Sequence, residues 1–220
     1  MDTRERLLAA ALRLFADKGF HGASIEQIGR EVGLTKQALL HHFGSKQKLY
    51  GAVLERISAR LLADLDDCAN GVAPEQAFEQ ALLRIHARTQ QHPQDTQLLM
   101  RELLDNRSRA AEAGVWYLRP FLDALHRQRR RTTGWAEGDA GADARTVATH
   151  VYQLLGAINY FAVSQTTLQA MYGAEHIAAL REAFPAHLRQ LARLPPTEAT
   201  PPAADEPATM GGATPRRPPR

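Results

Sequence analysis

Apolar residues in this 220-residue chain recur every three to four positions from Leu7 to Leu194, and no stretch shows the single alternation of a half-buried strand. A period near 3.6 lines side chains along one face of a helix, so the pattern predicts an all-α fold. Leu7, Leu8, Ala11, Leu12 and Phe15 mark a first helix that stops near Gly19, with Asp2 and Glu5 as its expected capping pair. Ser24 and Gln27 form a capping box for a second helix with Ile25, Ile28 and Val32 facing inward. Gly33 supplies the residue type that a tight reversal needs, and Thr35 can cap a third short helix containing Leu39. Phe43-Gly44-Ser45 breaks and recaps the chain before a fourth helix through Leu49, Val53, Leu54, Ile57, Leu61 and Leu65.

Beyond Gly71 the periodicity continues. Pro74 and Pro93 stand where proline starts a helix. Helices are expected at roughly 74–91, 93–107 and 109–131, the last kinked by Pro120. A Gly-rich loop covers Thr132 to Ala142. Long helices follow at about Asp143–Met171 and Ala174–Leu194, the second bent by Pro185. The division is therefore 1–48 for an N-terminal three-helix helix-turn-helix domain, 49–194 for a helical C-terminal bundle, and 195–220 for a Pro/Ala/Thr-rich tail expected to be disordered.

Charge singles out the first of these regions. Residues 1–60 hold ten Lys/Arg against six Asp/Glu, no acid lies between Val32 and Leu54, and all four lysines fall within the first 48 positions. Two short helices joined by a Gly-containing turn, the second opening on polar and basic residues, form the arrangement that puts a helix into the major groove of DNA. Lys36 can donate to guanine O6/N7 or to phosphate. Gln37 can pair with adenine N6/N7, and Ala38 can touch a thymine methyl. The helix dipole favours acids in a first turn, yet Lys36 opens helix 3 and Lys46 and Lys48 open helix 4. A bound phosphate reverses that preference, because helix end and lysine then hold the same anion.

These residues form an ordered set: Leu14-Phe15-Ala16, Gly19-Phe20, Ser24-Ile25, Ile28-Gly29, Val32-Gly33-Leu34, Leu39, His42-Phe43, Ser45-Lys46 and Leu49. Over residues ~4–55 the chain thereby resembles the TetR/AcrR family of bacterial transcriptional regulators. The resemblance implies a homodimer that binds double-stranded operator DNA and carries a C-terminal bundle for dimerisation and for a small-molecule effector. By position it implies a phosphate contact from Ser24, base or phosphate contacts from Lys36 and Gln37, and a backbone clamp by His42 and Lys46; Thr35, Ala38 and His41 complete the expected DNA-contacting set. It also exposes a departure. The family usually has a phosphate-binding tyrosine where this chain has Leu40, which leaves either an apolar contact or plain packing at that position.

The C-terminal half is read more loosely. Val147, Val151, Leu154, Leu155, Ile158 and Phe161 form one stripe; Ile177, Leu180, Phe184, Leu188 and Leu191 form another. Either stripe faces a second subunit or the chain's own core. The expected interface residues are Val151, Leu154, Leu155, Ile158, Ile177, Leu180, Phe184 and Leu188. Polar or aromatic residues on apolar faces, namely His86, Met100, Trp116, Tyr117, His150, Asn159 and Tyr160, are candidates to line an effector pocket. The cluster His126–Arg131 reads as a solvated helix end or a second basic patch.

No Gly-x-Ser-x-Gly elbow, P-loop, dinucleotide fingerprint or HExxH helix is present, which argues against an enzyme. The single Cys68 excludes an intramolecular disulfide and a multi-cysteine zinc site, and no metal or other cofactor is expected. With no signal-like start and no long apolar run, the expected location is the cytoplasm, away from membrane. The other open reading is a DNA-binding regulator that takes no ligand.

Overall fold

The computed structural model describes residues 2–105, 116–132 and 142–194. Among these residues the chain is helical throughout: α1 (Thr3–Gly22), α2 (Ile25–Glu31), α3 (Lys36–Phe43), α4 (Lys46–Ala69), α5 (Pro74–Gln91), α6 (Pro93–Asp105), α7 (Arg119–Thr132), α8 (Ala142–Tyr172) and α9 (Ala174–Arg193). Helices α1–α3 and the start of α4 make a head around Leu7, Phe15, Ile28, Leu39 and Leu49, each at most 1% exposed. Helix α4, about 36 Å long at 1.5 Å per residue, carries its apolar face from the head into the bundle. There it packs on α5 and α7, and α5 packs in turn on α8 and α9. Most buried apolar residues of head and bundle belong to one apolar cluster.

Local chemistry explains most of the boundaries. The turn between α2 and α3 needs Gly33, whose φ of 74° is strained for any residue with a Cβ. Gly29 serves a different need. The Leu34 amide donates to its carbonyl at 2.9 Å, and a Cβ on Gly29 would stand 2.7 Å from the Leu34 carbonyl oxygen. The reversal can close this tightly only over a bare backbone.

Several expectations need correcting. Asp2 sits at the N-cap of α1 but makes no side-chain cap bond, and Glu5 pairs with Arg56 of α4 at 2.7 Å instead. Helix α1 passes Gly19, where the backbone leaves helical angles, and ends at Gly22. Pro120 does not kink a long helix. Described α7 begins at Arg119, so the proline occupies its first turn, where no amide is needed. The expected helix at 109–115, the Gly-rich loop after 132 and the tail 195–220 lie outside the described residues.

The basic cluster at the end of α7 splits. Arg129 is only 4% exposed, with its guanidinium 5.2 Å over the Phe78 ring, and is neither solvated nor available to DNA. It donates to the carbonyls of Ala192 at 3.2 Å and Leu194 at 2.6 Å, and to Thr132 Oγ1 at 2.8 Å. The carbonyl end of α9 carries partial negative charge, which suits a buried cation that has no carboxylate partner among the described residues.

Candidate nucleic-acid interface

Three side-chain caps build the reading face. Ser24 Oγ accepts from the Gln27 amide and Gln27 Oε1 accepts from the Ser24 amide, both at 3.1 Å, completing the expected capping box. Thr35 Oγ1 accepts from the Ala38 amide at 3.2 Å and starts α3; Ser45 Oγ accepts from the Lys48 amide at 3.1 Å and starts α4. Each cap fixes a helix start whose remaining amides point outward, the geometry that suits a phosphate.

On this scaffold Thr35, Lys36, Gln37, His41 and His42 are exposed, and Ser24, Ala38 and Lys46 are half-buried. All but His41, His42 and Lys46 lie at the caps or first turns of α2 and α3. The His41 and His42 rings stand edge-on 6.1 Å apart, and among the described residues no group of three or more His, Cys, Asp or Glu side chains is placed to hold a metal ion. The Lys46 ammonium lies 4.7 Å above the Phe20 ring, an attraction that holds the cation at the start of α4. Leu40, where the resemblance implies a tyrosine, is half-buried and packs on the apolar cluster.

Sequence reasoning missed Glu26. Its Oε1 lies 2.6 Å from Lys36 Nζ, with both side chains about half exposed. The hydrogen bond from Lys36 holds the Glu26 carboxyl below the usual carboxylate range. The stretch that is acid-free in sequence is therefore not acid-free in space, because the turn at Gly33 folds α2 back beside α3. Arg101 was also missed as a tie to the head. Its Nε donates to the Ala16 carbonyl and its Nη2 to the Asp17 carbonyl, both at 2.8 Å. Next to it, the Tyr50 hydroxyl donates to Glu102 Oε2 at 2.5 Å. Helix α6 thus holds both α1 and α4.

The residues suggested for an effector pocket do not converge. Trp116 and Tyr160 are 56% and 70% exposed, so neither lines an interior site as the chain stands. Tyr117 lies against α4, close enough that a Cβ at Gly51 would meet its hydroxyl. His150 Nε2 donates to the Leu191 carbonyl at 3.1 Å and helps Arg129 hold the end of α9. Met100 and Asn159 are half-buried. His86 is buried among aromatic rings, 4.8 Å from Phe184 and 6.0 Å from Phe161, and among the described residues its Nδ1, like that of His150, has no hydrogen-bond partner. Burial pushes its pKa down, so the imidazole is held neutral. A separate open groove of about 500 Å³ between α4 and α5, lined by Asp64, Cys68, Arg84 and Arg88 among others, contains none of the suggested residues.

The expected interface residues divide in the same way. Val151, Leu154, Ile158, Ile177 and Leu188 are each at most 2% exposed within the single chain, so their stripe faces the chain's own core and not a partner. Leu155, Leu180 and Phe184 are half-buried. The outward face of α8 carries a second stripe, with Tyr152 80%, Tyr160 70% and Val163 43% exposed. Among the described residues nothing beyond the adjacent backbone of α8 lies within 4 Å of where a Cβ on Gly156 would stand.

Comparison with known proteins places this geometry. Residues 7–53 match the family model described as "Bacterial regulatory proteins, tetR family". The chain is 31% identical over 176 residues to the transcriptional repressor NicS of Pseudomonas putida, covering 72% of this chain and 74% of that protein. It is 36% identical over 101 residues to the transcriptional regulator RutR of Escherichia coli, covering 46% of this chain and 48% of that one. Shorter matches, each over about a quarter of this chain, include both named repressors and a named activator. A solved structure described as the molecular basis for control of antibiotic production by a bacterial hormone superposes with a TM-score of 0.61 at 26% identity, covering 86% of this chain and 95% of that one. Among the described residues no helix is long and apolar enough to cross a membrane.

Proposed function

The chain belongs to the TetR family of bacterial regulatory proteins, and from that premise we propose a repressor that binds a palindromic operator as a homodimer and leaves it when a small molecule occupies the bundle. The observation that carries this reading is the exposed first turn of α3. Thr35, Lys36 and Gln37 are exposed there, Lys36 reaches α2 next to its Ser24 cap through Glu26, and lysines open α4 where α3 ends. Base readout falls to Lys36, Gln37 and Ala38. Ser24, His42 and Lys46 hold the flanking phosphates and set the register.

The outward stripe of α8 supports the dimer. Tyr152 and Tyr160 flank Gly156 at one-turn spacing, which lets a second helix approach closely between two aromatic anchors. The effector's foothold in this proposal is His86. A buried neutral imidazole with an unpartnered nitrogen among Phe161 and Phe184 is a polar group waiting for a partner in an apolar site. Helix α6, tied to the head by Arg101 and Glu102, supplies the route by which a bundle change alters the separation of two heads on half-sites about 34–36 Å apart.

Selection of bound fragments from genomic DNA tests the core of the proposal. A single palindromic motif upstream of a transcription unit that is derepressed when this gene is deleted is the expected result. Bound sites whose genes fall silent on deletion make the protein an activator. Absence of any enriched sequence removes operator binding altogether.

A further inference from the structure

The reading face carries an acid that DNA binding as such does not want. Glu26 is the second residue of α2, and its carboxylate sits 2.6 Å from the ammonium of Lys36, the first residue of α3. The other carboxylate of α2, Glu31, is engaged elsewhere, with Arg13 of α1 at 2.8 Å. A carboxylate in the first turn of α2 suits that helix's dipole and an exposed ion pair adds little, so neither requires Glu26 to sit against Lys36. Beside phosphates the same carboxylate opposes every non-specific encounter and cancels part of the attraction of Lys36. Its presence makes sense where a base rewards it.

We infer that Glu26 and Lys36 act as one unit that reads a single G·C base pair of the operator, the Lys36 ammonium donating to guanine O6 and N7 while the Glu26 carboxylate accepts from cytosine N4. The inference rests on the operator-binding reading above. Across the major groove a G·C pair presents two adjacent acceptors and then a donor. The ammonium has donors for both acceptors, and an ionised carboxylate is acceptor-only, so it suits the amine that follows. An A·T pair places its donor between two acceptors and sets thymine O4 against the carboxylate. Lysine without Glu26 is a flexible point charge that would take a phosphate as readily as a base. The carboxylate therefore works as a specificity-determining group that keeps Lys36 for the bases.

The test uses the full-length chain and duplexes selected from a random library, comparing wild type with Glu26→Ala and Glu26→Gln, each first checked for an unchanged melting transition. For wild type, replacing one G·C position of the selected site by A·T should weaken binding about tenfold. Glu26→Ala should bring that ratio close to one. It should also steepen the plot of log affinity against log salt by up to about 0.9, as Lys36 moves to a phosphate. Glu26→Gln, whose amide offers a donor and an acceptor, should move the preference at that position toward adenine. If both variants keep the wild-type motif, or weaken binding evenly at all positions, the inference is overturned and operator binding stands. A wild type that enriches no sequence overturns both.

Discussion

The head and the bundle are built from the same kind of helix but are held by interactions of different range. In the head, Ser24, Thr35 and Ser45 each cap a helix through the amide three residues on, and Gly33 turns the chain within four residues. In the bundle, Gln128 donates to the Leu65 carbonyl, Arg129 to Ala192, and Arg193 to Glu79, across 63, 63 and 114 residues of sequence. The head is a local device that presents a face; the bundle is an assembly held by long-range bonds. A regulator needs both, and α4 and α6 join them.

The largest test of this division asks whether the two regions unfold separately. Phe78 of α5 is 1% exposed and lies in the bundle, yet it belongs to the same apolar cluster as Phe15 of the head. Phe78→Ala should cost about 3–5 kcal/mol in urea unfolding. The loss should appear in a single transition reported equally by far-UV circular dichroism and by DNA binding. Two separated transitions would show that the head is an independent unit.

Gly29→Ala sharpens the other side of the comparison. The new methyl would press on the Leu34 carbonyl, which belongs to the backbone of the turn and cannot simply rotate away. A loss of about 1–3 kcal/mol is expected, with operator affinity falling further than stability alone explains, because the turn sets α3. Thr35→Ala should cost about 1 kcal/mol through the lost cap. It should leave the oligomeric state read by sedimentation unchanged.

The smallest effect is one of pH, and it belongs to the bundle. Burial lowers the pKa of His86, His126 and His150, with the Arg129 charge adding to the effect at His150. In the unfolded chain these groups titrate near 6.5, so below that value the unfolded state binds more protons. Their contribution to stability is then full above about pH 6.5 and declines as pH falls toward their folded values. His86→Leu should flatten the part of the urea-midpoint slope that His86 causes between about pH 7 and 5. An unaltered slope would mean that His86 is solvated in solution.

What could be read from the sequence follows the same boundary of range. The caps at Ser24, Thr35 and Ser45 were legible because donor and acceptor lie three residues apart. Asp2 and Glu5 have the same spacing but make no such cap, because Arg56 claims Glu5 from a distant helix. Glu26 was invisible as a partner of Lys36 because their contact exists only once the turn has closed. In α8 the periodicity showed apolar stripes but could not say which one meets the core. The aliphatic stripe of Val151, Leu154 and Ile158 went inward, and the tyrosines at 152 and 160 remained outside. His86 was legible as a polar residue on an apolar face; that its nitrogen lacks a partner is a property of the packed bundle.

The most direct measurement is sedimentation of the full chain with its selected operator duplex, in parallel with Lys46→Ala and Gln37→Ala. Two chains per duplex are expected. Lys46→Ala should weaken binding to all sequences and shallow the salt slope by about 0.9. Gln37→Ala should change the preference at one base position. One chain per duplex, or a salt slope and base preferences that neither substitution alters, would contradict the claim that paired α3 faces read the DNA.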